Sequence, residues 1–213
     1  FSNLFRYKLI ENYGGWWFDT DCYCQRNVEE FETLLSGRDY ILGLERKDYV
    51  GSAVMYFNNL DLLYDIQDKA YELIKRNNFK LKWGEIGPDL ITEVVIANGL
   101  IDSMLGPNYF FPVPPNQIQK FFDPTFQNNN KNLIKDSFIC HTWNEMFRKY
   151  NINKLVHPPV GSFLYNEFEK NGIRHTNDKK IYSKFLMIRF NLVISMLFKM
   201  YSRIKVTLKN FKK

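Results

Sequence analysis

The stretch Gly14-Gly15-Trp16-Trp17-Phe18-Asp19-Thr20-Asp21 joins two glycines, three aromatic residues and two carboxylates. Apolar residues at helical spacing over 4–12 predict a helix before it, and the paired glycines predict the end of that helix. The aromatic triplet then predicts a short buried strand, which ends at the acids. This order of helix, turn, strand and acidic strand end is typical of α/β folds, in which ligands bind off the carboxyl ends of strands.

The two acids of this stretch, Asp19 and Asp21, are candidate metal ligands. In an ideal strand they point to one side with Thr20 opposite, so both carboxylates reach one small site. Mg²⁺ and Mn²⁺ prefer oxygen ligands, and a pyrophosphate offers further oxygens. Asp-x-Asp triplets also arise by chance in loops. The aromatic context favours the metal interpretation, because burying two carboxylates beside it without a cation would be costly.

The rest of the chain continues to alternate predicted helices and strands. Helices are predicted over 28–35, 60–77, 89–98 and 144–150. Strands are predicted over 40–44, 52–57, 109–113 and 138–141, and a polar, Asn-rich loop over 128–132. The longest of these helices has Leu63, Ile66, Ala70 and Ile74 on one side. With 45% hydrophobic residues, the sequence can form one domain with a sizeable core, which we assign to 1–183.

The net charge of +6 comes from the end of the chain. Residues 184–213 contain eight Lys or Arg and no acid, whereas 21 basic and 23 acidic residues precede them. A slightly acidic body argues against a nucleic-acid partner. Residues 184–213 predict a basic amphipathic helix, which either packs on the domain with its charges outward or lies on an anionic membrane. The charge asymmetry favours the membrane.

Cysteine content and hydropathy bear on the compartment. Three cysteines, Cys22, Cys24 and Cys140, are too few for a disulfide framework and are predicted to be free thiols in a reducing compartment. No run approaches the roughly 20 apolar residues of a membrane span. We therefore expect a cytoplasmic protein in peripheral contact with the inner face of the membrane. Because Phe1 already belongs to a predicted domain interior, we also expect an upstream part of the fold to be missing.

Three segments resemble family 32 glycosyltransferases, the DXD sugar-binding-region type that includes capsular-polysaccharide transferases. Residues 1–21 resemble the signature of this family, in which Arg-Tyr, Gly-Gly, an aromatic or aliphatic pair and Asp-x-Asp follow in order. Residues 87–92 are similar to its Gly-Pro turn and helix, and residues 141–144 to its late His-x-Trp-Asn element. The segments occur in family order, so the resemblance extends from Phe1 to about Lys149.

The resemblance implies a GT-A-like, Rossmann-like mixed sheet flanked by helices, with the N-terminal nucleotide-binding strand absent. It implies a retaining transfer of a hexose from a nucleoside-diphosphate sugar to a glycan or lipid-linked acceptor, in surface or capsular polysaccharide synthesis. Asp21 would bind Mn²⁺ or Mg²⁺ directly, and Asp19 would contact the donor ribose or the water shell of the metal. His141 would lie near the metal, and Arg6 near the donor sugar or its phosphates. The remaining implied donor-binding residues are Ser2, Asn3, Gly87, Pro88, Trp143 and Asn144.

Other interpretations of these residues remain open. Asn3 stands where many relatives have Asp, so it can accept a hydrogen bond from a sugar hydroxyl but supplies no charge. Taken alone, Arg6 is a solvated helix charge, and His157 and His175 are loop residues. Trp16 and Trp17 are core residues rather than sugar platforms. The alternative functions are a metal-dependent phosphohydrolase or nucleotidyltransferase, and a non-catalytic glycan- or membrane-binding remnant.

Overall fold

The computed structural model describes residues 2–173 and 180–210, so Phe1 and His175 lie outside the described residues. The chain forms two compact units. Unit 1 comprises Phe1–Pro114 and Ile134–Thr142, and unit 2 comprises Pro115–Leu133 and Trp143–Lys213. This boundary differs from the sequence-based division into 1–183 and 184–213, which stays a prediction.

Unit 1 is built from helices around two small sheets. In chain order its elements are α1 (Ser2–Tyr13), β1 (Trp16–Phe18), β2 (Cys22–Cys24), α2 (Val28–Leu35), β3 (Tyr40–Arg46), β4 (Tyr49–Phe57), α3 (Asp61–Arg76), α4 (Pro88–Ala97), a 3₁₀ turn (Ile101–Ser103), α5 (Pro107–Phe110) and β5 (Ile139–His141). Most of these follow the predicted helices and strands within a few residues. The architecture is mixed α/β with helices flanking the sheets.

Both sheets of unit 1 are antiparallel. The first has the order β1-β4-β3, with Trp17 opposite Met55 and Leu42 also opposite Met55 on the other side of β4. The second pairs β2 with β5. Among the residues of this unit that the structure describes, parallel pairing is limited to one bridge, between Gly43 and Leu105. The named strands therefore do not form the mixed sheet that the family resemblance implies, and the GT-A arrangement stays a prediction.

The core of unit 1 lies between the larger sheet and helices α1, α3 and α4. Helix α3 turns its predicted apolar side inward, and Leu63, Ile66, Ala70 and Ile74 are all buried. Helix α4 begins with Pro88, whose fixed φ and missing N–H suit a first helical position. Its Thr92 hydroxyl accepts a hydrogen bond from the Val50 N–H at 2.9 Å, which ties α4 to β4.

Two elements differ from the sequence-based prediction. The strand expected over 109–113 is instead the short helix α5, which starts at Pro107 and is followed by irregular chain. Phe110 and Phe111 are buried, but their rings pack onto the sheet rather than joining it as a strand. The Asn-rich loop expected over 128–132 is instead helix α6 (Gln127–Ile134). Asn130 there is fully buried and donates to the Lys120 carbonyl at 2.9 Å, so tertiary packing overrides the turn preference of asparagine.

Unit 2 is mostly helical. Its elements besides α6 are two 3₁₀ helices (Pro115–Phe122 and Pro124–Phe126), α7 (Asn144–Lys149), α8 (Phe163–Lys170) and α9 (Lys184–Asn210). Helix α9 is attached to the 3₁₀ helices through the buried Asn191 amide, which donates to the Asp123 carboxylate at 2.7 Å. Among the described residues, no helix combines the length and the hydropathy that crossing a bilayer requires.

Candidate functional site

Asp19 and Asp21 lie in a tight turn that carries the chain from one sheet of unit 1 to the other. The Asp19 N–H donates to the Ala53 carbonyl at 2.8 Å, which extends the β1–β4 ladder by one residue. The Cys22 N–H then donates to the Asp19 carbonyl at 3.0 Å, and β2 begins. The predicted strand alternation across 19–21 is therefore wrong, because β1 already ends at Phe18.

Antiparallel pairing of β2 with β5 brings His141 to this turn. Cys22 lies opposite His141 in the register, so the imidazole is next to the acids. The Thr142 N–H and hydroxyl both donate to the Asp21 carbonyl, at 2.9 and 2.8 Å. The His141 Nε2 lies 3.2 Å from Asp21 Oδ1. Residues far apart in the sequence thus meet through a short two-stranded sheet.

The three side chains together can supply ligand atoms to one divalent cation. Asp19, Asp21 and His141 each present a ligand atom, and these atoms all lie within 4.8 Å of one another. Opposite oxygen ligands of one hard divalent ion are separated by roughly 4 to 5 Å, so this spread fits a single ion. Two carboxylates with an imidazole suit Mn²⁺, and Mg²⁺ less well. The carboxylates remain 25% and 21% exposed, so solvent reaches both.

Arg6 is buried and holds Asp19. Its Nη1 donates to the Ser52 carbonyl at 2.6 Å and to the Ser52 hydroxyl at 2.7 Å. Its Nη2 lies 3.2 Å from Asp19 Oδ1, and the Trp17 indole N–H donates to the same oxygen at 2.7 Å. The interpretation of Arg6 as a solvated charge is therefore wrong. The direct contact of this guanidinium with a donor stays a prediction.

The two tryptophans pack against other side chains of unit 1 but remain half-buried, so β1 is not the buried strand that the sequence predicts. The Trp16 ring lies in an aromatic cluster with Phe18, Phe31, Tyr56 and Phe110, at centroid distances of 5.1 to 6.5 Å. Trp17 packs against the unit 1 core and meets the Phe5 ring edge-on. Trp17 also orients Asp19 through its indole N–H, a role that the core interpretation did not include.

Two residues of this region were missed by the sequence analysis, Ser52 and Glu45. Ser52 lies within β4 and is 7% exposed, where it receives the Arg6 guanidinium. A polar residue in an otherwise apolar strand was its only signal. Glu45 lies in β3, one residue beyond the predicted end of that strand. Burial raises the pKa of Glu45 to about 7, and the nearby His141 and Arg46 charges only partly oppose this rise.

The donor-site candidates of unit 1 other than Arg6 and Asp19 lie at the start of α1 and at the start of α4. Asn3 lies against Gly87, where an added Cβ would come within 2.8 Å of the Asn3 side-chain amide. Gly87 and Pro88 are buried at the start of α4, and Ser2 is exposed at the start of α1. Asn3 and Arg6 are three positions apart on α1, so they share one side of that helix.

The two remaining donor-site candidates belong to unit 2. Trp143 precedes α7 with a left-handed φ of 53°. The side-chain carbonyl of Asn144 accepts a hydrogen bond from Lys154 Nζ at 2.8 Å. His157 is also in unit 2. It is buried against the rings of Tyr165 and Phe168, which its prediction as a loop residue did not include.

The three cysteines are free thiols, as predicted. Cys22 lies next to the acidic turn, and its thiol donates weakly to the Ala53 carbonyl at 3.7 Å. Burial, followed by the charges of Asp21 and Asp19, raises the pKa of the Cys22 thiol. Cys22 is therefore held in its neutral form and is a weak candidate for a nucleophile or a thiolate ligand.

Comparison with known proteins supports a glycosyltransferase family. The conserved region of alpha 1,4-glycosyltransferases matches residues 71–157, which include Gly87, Pro88 and the segment 141–144. Lactosylceramide 4-alpha-galactosyltransferase of Rattus norvegicus is 24% identical over 157 residues, which cover 68% of this chain and 40% of that protein. The chain thus spans about two fifths of the length of this curated relative. No solved structure matches the chain. The mixed α/β architecture is compatible with a glycosyltransferase, and the assignment to family 32 stays a prediction.

Proposed function

We propose that the protein is a retaining glycosyltransferase that moves a hexose from a nucleoside-diphosphate sugar to a glycan or lipid-linked acceptor. The observation that carries the proposal is the convergence of Asp19, Asp21 and His141 within 4.8 Å, in a chain that matches an alpha 1,4-glycosyltransferase region. A diphosphate leaving group needs positive charge beside it, and an acidic cluster of this kind attracts a cation.

Asp21, Asp19 and His141 are the residues that would hold Mn²⁺ or Mg²⁺. A bound divalent cation would supply positive charge beside the phosphates of the donor. The chain itself fixes the ligands. The Arg6 guanidinium and the Trp17 indole orient the Asp19 carboxylate, while the hydrogen bonds from Thr142 fix the backbone of Asp21. These contacts restrict the Asp19 carboxylate and the backbone of Asp21, which lowers the cost of ordering both residues when a cation binds.

Retention of anomeric configuration is supported by the family resemblance. In this proposal the acceptor hydroxyl attacks on the face from which the diphosphate departs, and the leaving phosphate takes the hydroxyl proton. The new bond joins the acceptor oxygen to the anomeric carbon, and the bond to the diphosphate oxygen breaks. Glu45 is a weak candidate for a covalent nucleophile, because its raised pKa of about 7 leaves much of it protonated near neutral pH.

The name of the rat relative suggests galactose and a glycolipid as the classes of transferred sugar and acceptor. The family 32 resemblance predicts a different acceptor, a glycan of surface or capsular polysaccharide synthesis. Both acceptors present a sugar hydroxyl, and both can be lipid-linked. The cytoplasmic location is likewise a prediction from the cysteines and the charge of the tail.

The test is transfer from a panel of labelled nucleotide sugars to glycan and lactosyl-lipid acceptors, with Mn²⁺ and with a chelator. We expect metal-dependent transfer from one donor class, with product whose anomeric configuration by NMR matches that of the donor. The Asp21→Asn variant should lose about 100-fold or more in kcat. Asp65→Asn, which changes an exposed acid on α3, is the matched control and should retain activity.

The two rival functions give different results in the same assay. A phosphohydrolase or nucleotidyltransferase would release phosphate or transfer the nucleotide without any sugar acceptor. A non-catalytic remnant would bind no nucleotide sugar, even with metal present. Near-normal turnover by the Asp21→Asn variant would show that the metal assignment is wrong.

A further inference from the structure

Helix α9 of unit 2 exposes a broad apolar surface. Its inward side is set by Met187 and Asn191, which are 3% and 1% exposed, and by the Phe190 and Phe198 rings, which meet the Tyr150 ring. Outside these contacts, nine large apolar side chains of α9 are each 54% to 64% exposed. We call them the α9 outer face: Phe185, Leu186, Leu192, Val193, Met196, Leu197, Met200, Tyr201 and Ile204. Monomeric soluble proteins rarely expose apolar residues in one contiguous patch of this kind.

The charges of this helix are all of one sign. Residues 184–213 contain eight Lys or Arg and no carboxylate. Arg189 lies within the outer face. On a helical wheel of about 100° per residue, it is 200° from the buried Met187. Its guanidinium lies over the Phe185 ring at 4.2 Å from the centroid. An arginine among exposed apolar side chains suits a bilayer surface, where the stem lies in the apolar layer and the cation meets phosphate groups.

A basic groove runs along one edge of α9. This cavity of about 370 Å³ lies between the first 3₁₀ helix of unit 2 and α9, and its lining residues include Lys120, Lys199 and Arg203. The amides of Asn116, Gln117 and Gln119 also line it, and none of the lining residues that the structure describes carries a carboxylate. Three cations and three amides without an acid form a surface that suits a phosphate group.

We propose that the α9 outer face docks onto the surface of an anionic phospholipid bilayer, with the basic groove beside it receiving lipid headgroup phosphates. The apolar side chains enter the boundary between headgroups and acyl chains, and the basic residues contact anionic lipids. Two copies of α9 facing each other would oppose like charges with no carboxylate to compensate. The charge complementarity therefore favours the bilayer over a second copy of this chain.

Flotation of the full chain with lipid vesicles tests this proposal. The probes are vesicles of phosphatidylcholine alone and of phosphatidylcholine with phosphatidylglycerol. We expect binding to the anionic vesicles that weakens with added salt, and weak binding to the neutral ones. Vesicle binding needs neither donor nor transfer, so its failure would leave the proposed enzymatic function standing.

Two variants separate the apolar and the charged contributions. The M196S/M200S variant should lose about ten-fold or more in affinity for anionic vesicles, because two apolar side chains no longer enter the bilayer. The R189A/K199A variant should lose roughly 25-fold, at about five-fold per basic residue near the surface. Trp83→Ser and Lys47→Ala change exposed residues of unit 1 and serve as matched controls.

Three outcomes would overturn the proposal. They are the absence of binding to anionic vesicles, equal binding to neutral vesicles, and a soluble dimer that M196S/M200S converts to monomer. The third outcome would assign the outer face to a second copy of the chain. Circular dichroism of each variant verifies that α9 remains folded. We expect it to remain folded because Met196 and Met200 are more than half exposed and Arg189 and Lys199 lie at the surface.

Discussion

Arg6 connects helix α1 to the central strand β4 and to the acidic turn. Its guanidinium donates to two oxygens of Ser52 and pairs with Asp19, and the side chain is 8% exposed. Removing one partner of a buried pair leaves the other without compensation, which is the costly case. Arg6 therefore stabilises the fold and also positions a candidate ligand.

The variant Arg6→Met should lower the free energy of unfolding by about 3 kcal/mol, because the Ser52 carbonyl and Asp19 lose their buried donor. Urea denaturation followed by circular dichroism measures this change. The matched control Lys8→Met removes an exposed pair with Glu11 on the same helix. It should cost less than about 1 kcal/mol. Equal losses in the two variants would contradict the buried-pair argument.

Glu45 makes the stability of unit 1 depend on pH. Its pKa is raised from 4.5 to about 7, chiefly by burial. Between these two pH values the folded protein holds a proton that the unfolded chain has released. The contribution of Glu45 to the free energy of unfolding therefore falls as pH rises from about 4.5 to 7, by up to about 3 kcal/mol.

Thermal unfolding across this pH range, in a buffer containing a chelator, measures the effect. The Glu45→Gln variant should flatten the decline, because a neutral amide has no proton to lose. The Glu32→Gln variant, which changes an exposed residue of α2, should keep the slope of the parent protein. The same pH dependence in the parent protein and in Glu45→Gln would contradict the assignment.

At the scale of elements, two glycines of the larger sheet accept the aromatic residues that follow Pro107. A Cβ on Gly43 would lie 2.6 Å from the Phe110 ring, and one on Gly51 would lie 2.4 Å from the Phe111 ring. The Phe111 ring in turn meets the His141 ring at 5.7 Å. Close approach of α5 to the sheet therefore contributes to the position of a candidate metal ligand.

The variant Gly43→Ala should destabilise the protein by about 1 to 3 kcal/mol, because its Cβ would overlap the Phe110 ring. A double-mutant cycle with Phe110→Leu measures the coupling, since the smaller side chain leaves room for the added methyl group. We expect the double variant to lose less than the sum of the two single losses. Strictly additive losses would show that the ring is not the group that opposes the methyl.

The elements that local pattern predicted are those with a clear apolar period or strong stop signals. Helix α3 is one, because its apolar residues recur every three or four positions and all face the core. Helices α5 and α6 are the failures. Considered with their sequence neighbours alone, the aromatic residues of 109–113 predict a strand and the asparagines of 128–132 predict a loop. The packing of Phe110 on Gly43, and the hydrogen bond from Asn130 to Lys120, join residues well separated in the sequence.

At the scale of the whole molecule, metal binding should be linked to stability. A ligand that binds only the folded state at 100 times its dissociation constant adds about 2.7 kcal/mol. For a chain of this size we therefore expect Mn²⁺ to raise the Tm of chelator-treated protein by about 5 to 10 °C. Differential scanning calorimetry measures the shift independently of any enzymatic activity.

The Asp21→Asn variant should lose this Tm shift, because one oxygen ligand is replaced by a neutral amide. The Asp65→Asn variant should keep it, since Asp65 is exposed on α3 and lies outside the cluster of three ligand residues. An undiminished shift in Asp21→Asn would place the stabilising ion elsewhere on the protein.

The sequence alone determined the local features of this protein: the amphipathic helices, the aromatic strand before the acids, the free thiols and the basic charge of the last thirty residues. These follow from residue periodicity, turn chemistry and composition, which act between neighbours. Tertiary structure decided which distant groups meet. Thr142 contacts Asp21 across 121 positions, and Arg6 reaches Ser52 across 46. Such contacts depend on which apolar surfaces pack against each other and on which oxygens accept hydrogen bonds from a buried guanidinium. No local sequence pattern encodes either of these.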